Sequence, residues 1–189
     1  MIKRILLILV VGSGLAGVVL WIMTDLTFRG AEYFAPLPSF RDVPQDPAML
    51  VAGLYSYETV AKARRTLSAR GYEMTILRDE QWSGVGIPIS HVVAIVERFV
   101  DHGHSGTLTL SFLNDRLGTA IFEPGDWRAY SSDLSREGIP SVEGLADRIE
   151  VRPHVVLRPF HGEGSRRGIA YSDTRLDREI DIYMAKTDD

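Results

Sequence analysis

Residues 107–122 read TLTLSFLNDRLGTAIF. In Thr107–Phe112 apolar and polar residues alternate. Leu108, Leu110 and Phe112 fall on one side, Thr107, Thr109 and Ser111 on the other. Successive side chains of a strand point to opposite faces, so this period predicts a half-buried strand. Asn114-Asp115 reads as the turn, and Leu117–Phe122 as the returning strand. The stretch therefore predicts an antiparallel hairpin with its three large apolar residues facing a core.

Reading downstream, Asp126 is positioned to cap a helix whose apolar stripe is Trp127, Tyr130 and Leu134, closed by Gly138. Residues 142–148 read as a short helix. Val151–Phe160 reads as one strand, with Pro153 pushing its start toward a sheet edge. His161–Gly168 reads as a Gly/Arg loop, and Ile169–Tyr171 as a strand. Leu176–Met184 fits both periods and is read as a helix, because Asp173 can cap it.

Upstream, Ser90 reads as the cap of a helix over His91–Asp101, with Val92, Ile95, Val96 and Phe99 as its core face. Gln81–Gly86 reads as a loop and Glu73–Arg78 as a strand. Before that, Tyr57–Arg70 reads as a helix capped by Ser56, ended by Gly71 and striped by Val60, Ala63 and Leu67. Met49–Tyr55 reads as a buried strand. Met49 to Arg78 then forms a βαβ unit. The expected class is α+β: an N-terminal transmembrane helix, then one small domain with a mixed or antiparallel sheet of about five strands and helices mainly on one face.

The transmembrane expectation rests on Ile5–Met23, which carries no formal charge. A helix of that length spans roughly 28 Å, close to the hydrocarbon thickness of a bilayer. Lys3 and Arg4 precede it and Asp25 follows it, so the positive-inside rule leaves the N-terminus in the cytoplasm. The expected division is 1–27 as cytoplasmic tip and transmembrane signal anchor, 28–47 as a Pro-rich tether, and 48–189 as an extracytoplasmic domain. That places the chain in the inner membrane as a single-pass protein, with its main domain in a bacterial periplasm. A cleaved signal peptide is the rival, but Val19–Asp25 offers no pair of small residues for cleavage. Residues 12–17 (GSGLAG) match a dinucleotide-loop pattern, yet they lie inside the span and not between a strand and a helix. Gly12 with Ala16, and Ser13 with Gly17, instead suit close helix packing in lipid, hence a protein partner or a homo-oligomer through that helix.

Composition narrows the chemistry. The chain has 189 residues, is 45% hydrophobic and 24% charged, contains no cysteine and has a net charge of −4. These values describe a folded chain without disulfides, thiolate metal sites or a catalytic cysteine. The acidic balance gives no basic nucleic-acid surface. No P-loop, HExxH or G-x-S-x-G pattern occurs. Asp101-His102-Gly103-His104 could seed a metal site but reads better as a helix end, where histidine suits the dipole. His91, His154 and His161 have no assignable partners. The acidic set Asp173, Asp177, Glu179 and Asp181 reads as a solvated face. Neither a catalytic set nor a cofactor or metal is implied.

Two basic groups remain. Lys62, Arg64 and Arg65 mark the outer side of the first helix, and Arg158, Arg166 and Arg167 flank the glycine-bearing loop. Guanidinium groups with loop amides suit an anion, so these six residues form the candidate anion or partner surface. The stretch Met49–Arg78 resembles half of a SPOR-type cell-wall-binding module, although the hairpin that follows departs from that module's second half. The expected function is a membrane-anchored, non-enzymatic extracytoplasmic domain that binds a partner or supports an envelope complex. The alternatives are an anchored hydrolase using His and carboxylate groups, and a cell-wall glycan binder.

Overall fold

A computed structural model describes residues 46–84, 87–139, 148–162 and 166–187. Their centre is a seven-stranded, wholly antiparallel sheet of order β3-β4-β5-β6-β9-β8-β7. The strands are β3 (Thr75–Gly84), β4 (Ile87–Asp101), β5 (His104–Leu113), β6 (Arg116–Pro124), β7 (Ile149–Arg152), β8 (Val155–His161) and β9 (Arg167–Asp173). A separate two-stranded hairpin joins β1 (Met49–Val51) to β2 (Leu54–Tyr55). Three helices complete the described chain: α1 (Val60–Ser68), α2 (Trp127–Arg136) and α3 (Thr174–Thr187). Strands β3 to β6 form a meander. The chain then leaves through α2 to the far edge at β7 and returns through β8 to β9, which closes on β6.

The Thr107–Phe122 hairpin forms as its alternation requires. Leu108 pairs with Phe122 and Leu110 with Ala120, and Asn114 and Asp115 turn with φ of 49° and 58°. Leu108, Leu110 and Phe112 are fully buried. Opposite them lie Leu50, Val51 and Leu54 of the β1–β2 hairpin, Ala63 and Leu67 of α1, and Tyr130 and Leu134 of α2, all in one core. Fully burying each such side chain contributes about 1.5–3 kcal/mol. An aromatic series runs through this core: Tyr72 to Phe99 at 5.0 Å, Phe99 to Phe122 at 6.1 Å and Phe122 to Tyr130 at 5.2 Å.

Several expectations are corrected. Residues 91–101 are strand β4 and not a helix. Val92, Ala94 and Val96 face the core, then the pairing shifts register between Val96 and Phe99, with Arg98 at φ 53°. That bulge returns Phe99 to the core and breaks the two-residue period. Residues 81–84 continue β3 where a loop was expected. Met49–Tyr55 is two strands, split by Ala52 and Gly53 at φ 37° and 81°. Because β3 pairs antiparallel with β4, and among the described residues β1 pairs only with β2, residues 49–78 do not form a βαβ unit. The resemblance drawn from 49–78 has no counterpart in the strand pairing. Val151–Phe160 is likewise two strands, turned at Pro153-His154 with His154 at φ 66°. Helix α1 starts at Val60, because the Thr59 side chain accepts the Lys62 amide and Tyr57 sits at φ 65°. Residues 174–187 are helical, and Asp173 Oδ1 accepts the Arg175 amide at 3.0 Å.

The span 5–23, with Gly12, Ser13, Ala16 and Gly17, lies outside the described residues, as does all but Arg148 of the short helix read at 142–148. Among the described residues no helix is long and apolar enough to cross a membrane. The expected transmembrane helix plus five-stranded α+β domain is therefore corrected to this seven-stranded antiparallel sheet, and the transmembrane, single-pass and signal-anchor description is without structural support.

Candidate binding cleft

Strand pairing brings distant residues together at one end of the sheet. Gly106 pairs with Pro124 and Thr107 with Glu123. Phe122 pairs with Ile169, which sets the start of β9 beside Glu123. The chain then turns from β6 into α2 within two residues. The Gly125 amide donates to the Ser105 carbonyl at 2.9 Å, and Asp126 Oδ1 accepts the amides of Arg128 and Ala129 at 3.0 and 3.1 Å. An oxygen at this position satisfies helix amides that lack a partner within the helix, which fixes where α2 begins.

The result is an open cleft of about 710 Å³. A Cβ on Gly106 would overlap the Glu123 carbonyl oxygen and lie 2.8 Å from Pro124 Cα, so no larger residue fits there without a shift. Its lining includes Thr107 of β5, Glu123 of β6, Trp127 and Arg128 of α2, Arg166, and Arg167 at the start of β9. Glu123 is 12% exposed, and its Oε2 lies 3.5 Å from Arg166 Nη1. Trp127 packs on Tyr130 with ring centroids 6.3 Å apart. Three guanidinium groups thus meet two carboxylates, one of which is engaged in capping α2.

Of the six candidate residues, the structure brings Arg166 and Arg167 into this cleft. Arg158 Nη2 pairs with Asp177 Oδ2 at 2.6 Å, and Lys62 with Glu58 at 3.1 Å. Arg64 borders a separate cleft of about 510 Å³ with Ser68, Tyr72 and Glu73. Arg65 is exposed in the last turn of α1. Sequence reasoning took Trp127 only as part of a core stripe and passed over Arg128, Glu123 and Gly106.

The histidines of the Asp101–His104 stretch have a different task. His102 Nδ1 lies 2.9 Å from Glu137, and His104 Nε2 lies 2.9 Å from Asp133. Both carboxylates belong to α2 or its C-cap, so the β4–β5 turn is clasped to that helix. The hydrogen bond from His104 holds the Asp133 carboxyl below its ordinary 3.8, with Arg136 adding to it. Behind the clasp, the Tyr130 hydroxyl donates to buried Asp101 at 2.8 Å. Burial pushes the Tyr130 hydroxyl far above the usual phenol range, reinforced by Tyr171 and Asp101. Among the described residues, no group of three or more His, Asp or Glu is arranged to hold a metal ion.

Three of the acidic residues near the C-terminus, Asp173, Asp177 and Glu179, form a paired network. Fully buried Asp173 receives Arg175 Nη2 at 2.7 Å, Asp177 receives Arg158 and the Ser172 hydroxyl, and Glu179 receives Arg116 at 2.9 Å. The guanidinium groups of Arg116 and Arg175 each lie 5.6 Å from the centre of the Tyr57 ring. Burial, with the charges of Asp173 and Glu179, pushes the Tyr57 hydroxyl up to about 12. No member of this network lines the cleft of Trp127 and Arg167.

No protein-family model matches the chain, and neither does any curated protein.

Proposed function

We propose that the domain is a binding module, without chemistry of its own, that takes the anionic part of a ligand or partner in the cleft of Trp127, Arg166 and Arg167. The observation that carries this reading is the convergence of the Arg128, Arg166 and Arg167 guanidinium groups and the Trp127 indole around one open cleft. A guanidinium presents its donors as a planar fork matched to carboxylate or phosphate. A cleft of this size falls within the range of ligand sites, roughly 300–1,000 Å³. The hydrolase alternative calls for histidines around a cavity. No described histidine lines this cleft, and His102 and His104 are engaged with α2. The reading does not depend on residues 1–45 or on the cellular compartment.

The test is thermal unfolding of the full chain with inorganic phosphate, citrate and an oligouronate. A ligand at a hundred times its Kd stabilises by about 2.7 kcal/mol, which raises Tm by roughly 5–10 °C for a domain of this size. At least one anion should raise Tm saturably, and Arg166→Glu with Arg167→Glu should remove the rise. Unchanged Tm with every anion, or an equal rise in the double variant, contradicts the reading.

A further inference from the structure

We propose that two copies of this chain join edge to edge through β3, in one antiparallel register whose two-fold axis passes at Gln81. None of the residues lining the anion cleft lies on β3, so the proposal stands apart from that reading.

Among the described residues, β3 (Thr75–Gly84) pairs with β4 alone. An edge strand presents backbone N–H and C=O groups that a strand of another molecule can take up. Thr75, Leu77, Arg78, Asp79 and Gln81 are exposed, Leu77 to 60%. The other edge of the sheet is different. β7 has four residues, and its Arg152 guanidinium donates to the Met49 and Leu50 carbonyls of β1.

Two observations point to a second copy and to its register. First, the β3–β4 ladder outruns the sheet. β4 pairs with β5 only as far as His91 with Leu113, but with β3 as far as Ile87 with Gly84. Residues 82–84 and 87–89 therefore form a two-stranded ribbon, an arrangement that a third strand stabilises. Second, the charges are unevenly placed. After a bulge at Leu77 the pairing is regular from Arg78 to Gly84. Arg78, Asp79 and Glu80 are charged, and residues 81–84 (QWSG) are not. A two-fold axis between antiparallel copies sets one residue opposite itself. An axis at Asp79 or at Glu80 puts two carboxylates face to face, which is destabilising. An axis nearer Gly84 shortens the ladder. With the axis at Gln81, Asp79 falls opposite Ser83 of the second copy and Glu80 opposite position 82. Every charge then meets an uncharged residue, and the bulge stays outside the ladder. The ribbon of each copy lies along residues 78–80 of the other, within the body of its sheet. This ladder adds about six to eight backbone hydrogen bonds. The bulge and the carboxylates, devices that suppress edge pairing in general, leave this register open.

The chain has no cysteine, so introduced cysteines report contacts between copies without background. The experiment is disulfide cross-linking of the full chain under a mild thiol oxidant, read on a denaturing gel. Gln81→Cys should give a covalent dimer. Asp79→Cys should stay monomeric, because the two copies of residue 79 lie about 14 Å apart in this register. Asp79→Cys combined with Ser83→Cys in one chain should restore the dimer. A monomeric Gln81→Cys chain overturns the proposal. So does cross-linking of Asp79→Cys as fast as, or in place of, Gln81→Cys, and so does a double variant that stays monomeric.

Discussion

Leu110→Asp is expected to abolish cooperative unfolding of the domain. Leu110 sits at the centre of β5, fully buried, between Ala94 of β4 and Ala120 of β6. Truncating a buried leucine costs about 2–5 kcal/mol. A carboxylate in its place adds the penalty of an unpaired buried charge, several kcal/mol more. Total stability of a single domain is about 5–15 kcal/mol, so the sum consumes most or all of it. Near-ultraviolet circular dichroism during heating should show no sigmoidal transition. Thr109→Asp, one residue along and on the opposite face, should retain one. If Leu110→Asp melts like the native chain, the register of β5 is other than described.

Asp173→Asn is expected to lower Tm by roughly 6–20 °C near neutral pH. Asp173 is fully buried at the end of β9, where it holds Arg175 through Nε and Nη2 at 3.0 and 2.7 Å. Removing one partner of a buried ion pair costs about 3–5 kcal/mol, and each kcal/mol moves Tm by about 2–4 °C at this size. The loss should depend on pH with a definite sign. Burial pushes the Asp173 carboxyl up, but hydrogen bonds from Arg175 and Ser56 outweigh it and hold the carboxyl below its ordinary 3.8. A carboxyl depressed in the folded state contributes stability that is complete above its unfolded value and is lost as pH falls through the folded value. The gap in Tm between native and variant chains should therefore be constant from pH 5 to 7 and narrow below about pH 4. A gap that widens on acidification would contradict this origin.

What was legible in the sequence follows from how locally each element is determined. The β5–β6 hairpin needs only its own alternation and the Asn114-Asp115 turn. Helix α2 needs only the Asp126 cap and the Tyr130–Leu134 spacing. Strand β4 reads as a helix because its bulge shifts the core face by one position. Val92, Val96 and Phe99, with Ile95, then fall at helical spacing although they lie on a strand. The β-branched residues of 92–96 were the countersignal. Ser56 looked like a helix cap, but its hydroxyl oxygen accepts the Ala48 amide at 2.9 Å, and Thr59 caps α1 three residues later. The strand count fell short because Pro153-His154 hides a tight turn inside what reads as one strand.

The cleft was legible only in part. Arg166 and Arg167 stood out because two guanidinium groups beside glycines are unusual in a short loop. Their companions are far away in sequence: Gly106 and Thr107 on β5, Glu123 at the end of β6, Trp127 and Arg128 at the start of α2. What joins them is the β6–β9 pairing, a contact between strands that are not neighbours in the chain. No local period encodes that pairing. In the same way, the His102 and His104 clasp depends on where α2 crosses the β4–β5 turn, which spacing alone does not specify.

The most direct test of the binding cleft is backbone amide chemical-shift mapping of the full chain titrated with inorganic phosphate and, separately, with citrate. The predicted result is a saturable set of shifts centred on Gly106, Thr107, Gly125, the Trp127 indole and Arg167, with the amides of Lys62–Arg65 on α1 unmoved. Shifts centred on α1, or no saturable shift with either anion, would contradict it.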